Sequence, residues 1–214
     1  MVALLQQIYA KAQSAVRIGR HQGEWFPTDV GTRQGDPLSS LLFIAYLERV
    51  MDHVKETNCG IRLSGTPVNN LRFADDIDLI DEDCKSLQEQ LEKTRVVAEQ
   101  AGLIVNVGKT KTMVFGDRKI EPEIQIEGKN IENVDKFEYL GSLITWDNNC
   151  SEEIRRRIGK AAGAMASLKH IWNGKKLTLQ NKLRILTTCV FSVLLYASET
   201  WTLKENDKKK LLAF

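Results

Sequence analysis

Leu71-Arg72-Phe73-Ala74-Asp75-Asp76-Ile77-Asp78-Leu79-Ile80 decides how this chain is read. Two short apolar runs, residues 71–74 and 77–80, flank an aspartate pair, which predicts a β-hairpin with Asp75 and Asp76 at its tip. Hairpin tips usually carry Asn-Gly or Asp-Gly, because positive φ is easiest for glycine. Two carboxylates side by side repel unless a cation lies between them, and a divalent, oxygen-preferring ion such as Mg²⁺ relieves that repulsion. A turn carrying two solvated acids is the alternative, and the pair alone does not exclude it.

Working outward, Asp36-Pro37 marks a helix start, with Asp as N-cap and Pro at the first helical position. Leu38, Leu41, Leu42, Ala45, Val50, Met51 and Val54 give that helix one apolar face. Before it, residues 3–14 read as a short helix, and residues 16–18 and 25–30 as strands about a Gly19–Gly23 turn. After the hairpin, Ser86 and Glu89 form a capping-box pattern for a helix carrying Leu87, Leu91, Val97, Ala98 and Ala101, which Gly102 ends. Strands are expected at residues 112–115, 124–126 and 137–144. Helical spacing returns behind Ser151 at Ile154, Ile158, Ala161, Met165, Leu168 and Trp172, and a long helix is expected over residues 178–197. The fold class is therefore α+β, mixed over residues 1–150 and all helical over 151–214.

A hydrophobic share of 43% and a charged share of 27% fit a folded chain with room for one large domain or two small ones. Cys59, Cys84, Cys150 and Cys189 form no CxxC pair, so they read as reduced thiols, and with three scattered histidines no zinc framework emerges. No secretory signal opens the chain, and the most apolar run, residues 189–197, is too short to span a bilayer and belongs to a buried helix. An intracellular protein, in nucleus or cytoplasm and without a membrane partner, is expected. Net charge is +2, but residues 151–214 carry 13 Lys and Arg against 5 Asp and Glu. That basic stretch suits a nucleic-acid grip, although charge alone favours a solvated helix face.

Four blocks together carry a resemblance. Phe73-Ala74-Asp75-Asp76 between apolar strands resembles the catalytic hairpin of reverse transcriptases. Gly31-Thr32-Arg33-Gln34-Gly35-Asp36-Pro37-Leu38-Ser39 is similar to the glycine-rich loop which that family sets beside template and incoming nucleotide. Gly102-Leu103-Ile104-Val105-Asn106 with Lys109-Thr110-Lys111 resembles the next motif, and Phe137-Glu138-Tyr139-Leu140-Gly141 the primer-grip hairpin. Their order and spacing match the family, and any one alone would be weak. Ile154-Arg155-Arg156-Arg157-Ile158 and Leu195-Tyr196-Ala197-Ser198-Glu199-Thr200-Trp201 resemble the non-LTR (LINE-type) retrotransposon branch.

That resemblance implies a partial polymerase palm, of the right-hand polymerase fold, over 1–150 and a helical thumb-like region over 151–214. It implies RNA-directed DNA synthesis with an RNA template, a DNA primer, dNTP and Mg²⁺ (or Mn²⁺). Asp75 and Asp76 are then catalytic metal ligands, and Lys109 stands near the triphosphate. Arg33, Gln34, Gly35 and Asn106 contact substrate or template, while Tyr139, Leu140 and Gly141 hold the primer end. Arg155, Arg156, Arg157 and Lys160 contact nucleic-acid backbone. The family's first metal-binding aspartate is expected some tens of residues before the Gly31 loop. Asp29 lies too close to serve and no other acidic strand end precedes the loop, so the isolated chain is expected to be inactive. A non-catalytic nucleic-acid-binding module and a functionless retroelement remnant stay open as alternatives.

Overall fold

The computed structural model describes residues 2–28, 30–52, 54, 60–116 and 122–214. It divides into two compact units, residues 1–105 and 106–214. The first opens with helix α1 (Val2–Ala10), shorter than the expected 3–14. The two expected strands do not pair with each other: β1 (Gln13–Ser14), within the expected helix, pairs with β4 (Phe26–Pro27), and β2 (Arg17–Ile18) pairs with β3 (His21–Gln22), within the expected turn. Helix α2 (Pro37–Asp52) begins where the Asp-Pro pair predicts, and the Asp36 carboxylate accepts from the Leu38 amide at 3.0 Å.

Two hairpins follow, β5 (Ile61–Leu63) with β6 (Thr66–Val68), and β7 (Asn70–Phe73) with β8 (Asp76–Leu79). Helix α3 (Cys84–Gln100) is capped by Asp83, which accepts from the Ser86 amide at 2.9 Å. Ser86 therefore sits three residues inside the helix rather than at its start. Asp83 wins because its carboxylate reaches the free amide of the first turn. At the other end, Gly102 (φ +72°) donates to Glu99 O and Leu103 to Ala98 O, the double bond of a Schellman motif. That turn returns Leu103 to the core, where Leu47, Met51 and Val54 are buried among Phe43, Ile77 and Val97. Helices α2 and α3 and strand β8 are held by this cluster.

In the second unit the expected strand at 112–115 is reduced to a single bridge, Thr112 to Asn133. Strands β9 (Gln125–Ile126) and β10 (Lys129–Asn130) form a small hairpin, and residues 137–144 fold as another, β11 (Lys136–Tyr139) with β12 (Ser142–Thr145). Helix α4 (Ser151–Ser167) starts at Ser151 rather than after it, because the Ser151 hydroxyl donates to Asp207 at 2.6 Å instead of capping. Asp207 lies on the last helix, α8 (Glu205–Ala213).

Between them run α5 (Lys169–Asn173), α6 (Leu179–Ile185), a π-helical turn (Leu186–Phe191) and the short α7 (Ser192–Leu194). Ala161, Val190 and Leu194 form the buried centre of this unit, joined by Ile158, Leu168, Trp172, Leu186 and Leu211. Only one face of the apolar run 189–197 is covered, since Val190 and Leu194 are buried while Leu195 and Tyr196 are exposed. Met165, expected on the buried stripe of α4, is 39% exposed. Among the described residues no helix is long and apolar enough to cross a membrane. The cysteines Cys84, Cys150 and Cys189 are free thiols; Cys59 lies outside the described residues, as do Asp29 and His53.

Met51 is the side chain on which α2, α3 and β8 converge, with 1% of its surface exposed. Met51→Ala should lower the stability of the first unit by about 2–5 kcal/mol through lost transfer energy and the cavity left behind. Urea denaturation followed by circular dichroism checks this.

Candidate active site and nucleic-acid interface

The aspartate hairpin closes one residue earlier than the sequence suggests. Phe73 pairs with Asp76, Arg72 with Ile77, Leu71 with Asp78 and Asn70 with Leu79. The two turn residues are thus Ala74 and Asp75, with Ala74 at φ +53°, and Asp76 is the first residue of β8. Packing decides this register. It turns Ile77 toward the Leu47–Met51–Val54 cluster, and lets Arg72 grip the Glu48 carboxylate at 2.9 Å. Slipping by one would send Ile77 to the open face. Leu71, Phe73 and Asp76 occupy that open face, with Phe73 63% exposed and Asp75 and Asp76 both exposed.

Upstream, the Gly31–Asp36 loop is tied back by Arg33. Its guanidinium donates to Ile8 O at 2.9 Å and stands 5.5 Å from the centre of the Tyr9 ring. Gln34 is exposed, and Gly35 holds φ +88° in open space. Gly35 is therefore required by backbone conformation rather than by a close neighbour.

Asn106 and Lys109 fall in the second unit. The Asn106 side-chain oxygen accepts from the Lys109 amide at 3.1 Å, and its carbonyl accepts from the Thr110 hydroxyl at 2.9 Å. Asn106 shapes the turn that presents Lys109, whose side chain is exposed.

The turn of β11–β12 is more elaborately held. Leu140 and Gly141 both have positive φ, +48° and +79°, so the turn is of the mirror-image kind that hairpins favour. Its carbonyls point at other elements of the same unit. Leu140 O accepts from the Tyr196 hydroxyl at 2.6 Å, and Gly141 O from Arg156 at 2.6 Å and also from Arg157. Glu153, with 2% of its side chain exposed, gathers the two arginines: Oε1 accepts from Arg157 Nε at 2.6 Å, and Oε2 from Arg156 Nε at 2.8 Å. The Leu143 amide donates to Oε2 at 3.1 Å. Arg156 reaches on to Glu138 at 2.8 Å, and Arg157 lies over the Tyr196 ring, 4.4 Å from its centre.

Desolvation pushes the Glu153 carboxyl up, but the hydrogen bonds from Arg156, Arg157 and Leu143 outweigh it and leave it below the usual glutamate range. Arg156 holds the Glu138 carboxyl down in the same way.

The basic quartet is thereby divided. Arg155 and Lys160 are exposed, with Arg155 donating to Ser151 O at 3.4 Å. Arg156 is partly covered and Arg157 buried, both committed to Glu153 and Gly141. A run of arginines reads alike in sequence whether it meets water or an internal carboxylate. Glu153 carried a legible signal, three and four residues before its partners on a helix. Tyr196 carried no local signal, being 56 residues from Leu140.

Asp75 and Asp76 offer hard oxygen donors of the right kind for Mg²⁺, but only two of the roughly six it takes. Among the described residues no group of three or more His, Cys, Asp or Glu could hold a metal.

Residues 2–144 match the family described as reverse transcriptase (RNA-dependent DNA polymerase), and residues 164–196 a domain of unknown function. An uncharacterized transposon-derived protein of Caenorhabditis elegans is 32% identical over 153 residues, 66% of this chain and 52% of that protein. The Pol polyprotein from the type-1 retrotransposable element R2 of Nasonia vitripennis is 27% identical over 145 residues, 63% of this chain. Its counterpart from the type-2 element R2DM of Drosophila melanogaster is 27% identical over 154 residues, 67% of this chain. The chain spans about half the length of the nematode relative and 14% of each polyprotein. It belongs to the reverse transcriptase family, on the side of the non-LTR retrotransposons. The family implies a polymerase palm, with which the mixed helices and strands agree, a need for divalent metal ions, and binding of RNA template, primer and dNTP.

Glu153→Gln should cost about 3–5 kcal/mol by leaving the buried Arg157 charge uncompensated. The native carboxyl titrates below its ordinary value of 4.5, so its stabilisation is complete above that value and is lost as pH falls through the depressed one. Thermal melts across an acid series should therefore show the unsubstituted protein losing stability there faster than Glu153→Gln, the two curves converging.

Proposed function

We propose that this chain is the metal-donating and duplex-gripping part of an RNA-directed DNA polymerase that extends a DNA primer on an RNA template. The observation that carries this is the exposed tip of β7–β8, with Asp75 and Asp76 both exposed, within a chain that matches the family. Residues 1–150 serve as fingers and palm, and 151–214 as a thumb-like region. Asp75 and Asp76 would hold a divalent ion, Mg²⁺ or Mn²⁺, which when bound would supply positive charge to the phosphates. Lys109 stands by the triphosphate of the incoming dNTP. Arg33, Gln34, Gly35 and Asn106 line nucleotide and template, and Tyr139, Leu140 and Gly141 hold the primer end. Arg155 and Lys160, the two exposed members of the basic quartet, contact duplex backbone, which orients nucleic acid without reading its sequence.

A second reading, a module that binds nucleic acid without catalysis, is favoured by the donor count. Two carboxylates on one hairpin supply fewer ligands than the ion takes. The expected outcome for the isolated chain is binding of primed RNA without extension. Extension that disappears in Asp75→Ala would show that a further carboxylate completes the site. Paramagnetic broadening by Mn²⁺ should be weak and should vanish in the Asp75→Ala, Asp76→Ala double variant.

Binding should weaken steeply with salt as condensed counterions are released. Replacing Arg155 and Lys160 with alanine should flatten the log–log salt slope by about two units, at roughly 0.9 per phosphate contact, while leaving thermal stability unchanged. Fluorescence anisotropy over a salt series measures this, and a slope unaltered by the double substitution rules out the assigned contacts.

A further inference from the structure

We propose that Tyr196 and Arg157 are positioning residues for the primer end: they hold the β11–β12 turn through its two carbonyls and so set where that turn meets the primer terminus. This rests on the reading of that turn as the element that holds the primer.

A two-residue turn at a hairpin tip is ordinarily free to move, since its carbonyls face water and its strands end there. Here neither tip carbonyl is left to solvent alone. Leu140 O is taken by the Tyr196 hydroxyl at 2.6 Å, and Gly141 O by both Arg156 and Arg157. The Tyr196 ring also closes the space beside Gly141, standing 3.7 Å from where any added Cβ would lie. Arg157 lies over that same ring and is itself fixed by Glu153, which also takes the Leu143 amide just past the turn. The tip is thus attached to α4 on one side and to the segment after α7 on the other. Arg157 joins the two attachments, because one guanidinium meets the carboxylate, the carbonyl and the ring.

The arrangement exceeds what stability requires. A buried Glu–Arg pair is satisfied by its own hydrogen bonds, and Tyr196 is 48% exposed, so its hydroxyl has water available as a partner. Both nevertheless converge on two adjacent carbonyls of a positive-φ turn. The result is a turn of fixed orientation at the point assigned to the primer terminus, and preorganised contacts are the ones that discriminate.

The test uses the whole chain and two labelled RNA–DNA hybrids of equal length, one with a recessed DNA 3′ end on an RNA template and one blunt. The unsubstituted protein should favour the recessed end. Tyr196→Phe keeps the ring under Arg157 and beside Gly141 and removes only the hydroxyl. It should reduce the recessed-to-blunt affinity ratio roughly fivefold, the fold-change of about 1 kcal/mol for one net hydrogen bond, with blunt affinity unchanged and the melting temperature lowered by only about 2–4 °C. Arg157→Lys retains the charge facing Glu153 but lacks the fork that reaches Gly141 O. It should restore most of the melting temperature lost in Arg157→Ala without restoring the ratio.

Parallel weakening on both hybrids, tracking a fall in melting temperature, overturns the proposal in favour of a purely structural network. A ratio unchanged in Tyr196→Phe and Arg157→Lys overturns it as well, and leaves the duplex reading standing. If the unsubstituted chain binds neither hybrid, or binds both alike, the primer-grip reading falls and this inference falls with it.

Discussion

Glu153 occupies the first turn of α4 with almost no contact with water, and a carboxylate in that position costs several kcal/mol unless its charge and lone pairs are met. It is met by two guanidinium groups and one backbone amide, and sits at the helix end whose dipole favours negative charge. The rest of the second unit follows from that one group. Arg157 is drawn under the surface by Glu153, its remaining donor turns to Gly141 O, and its flat face receives Tyr196. Helix α4, the β11–β12 hairpin and the segment after α7 are thereby joined through polar contacts. The apolar cluster about Ala161, Val190 and Leu194 packs the other helices. Asp207 adds a further polar tie, with the Ser151 hydroxyl holding its carboxyl below the ordinary aspartate range.

The first unit rests on apolar packing instead. Its hairpin register is decided by Ile77 seeking the Leu47–Met51–Val54 cluster, and Arg72 reaches Glu48 in the same alignment. Chemistry and packing are therefore separated by the alternation of the strand: residues that anchor the hairpin face α2 and α3, while Asp76 shares the open face with Phe73. Ala74 accepts a left-handed conformation, costing about 1–2 kcal/mol for a residue with a Cβ, because the register leaves the turn no other place to close.

Local chemistry was legible in the sequence. The Asp36-Pro37 helix start, the Gly102 stop and the existence of a hairpin around Asp75-Asp76 each follow from neighbours within a few residues, and each is found. What depended on distant partners was not. The tip lies one residue early because Ile77 answers to a cluster whose buried members all lie on or just after another helix. Ser151 does not cap because Asp207 is 56 residues away, and Arg157 is hidden because its neighbours are a turn and a ring that no spacing announces. Asp75 lies in the hairpin turn with Asp76 just beyond it, Gly35 holds a positive φ, and Asn106 shapes the turn at Lys109; the basic quartet splits because charge runs carry no information about which face is covered.

The π-helical turn at Leu186–Phe191 sets the phase of everything after it. A turn of this kind holds one more residue than the α-helix around it, and each residue of an α-helix advances the chain by about 100°. One residue added to an α-helix would rotate every later side chain off its partner. Here one widened turn holds the extra residue, and Val190 and Leu194 both pack against Ala161. The segment is thus a place where the length of the chain can change while the distant partners of Tyr196 stay in register. Loss of one residue within it would return the turn to α-helical spacing and leave that ring beside Arg157, whereas the same loss from α7 would swing it away by about 100°.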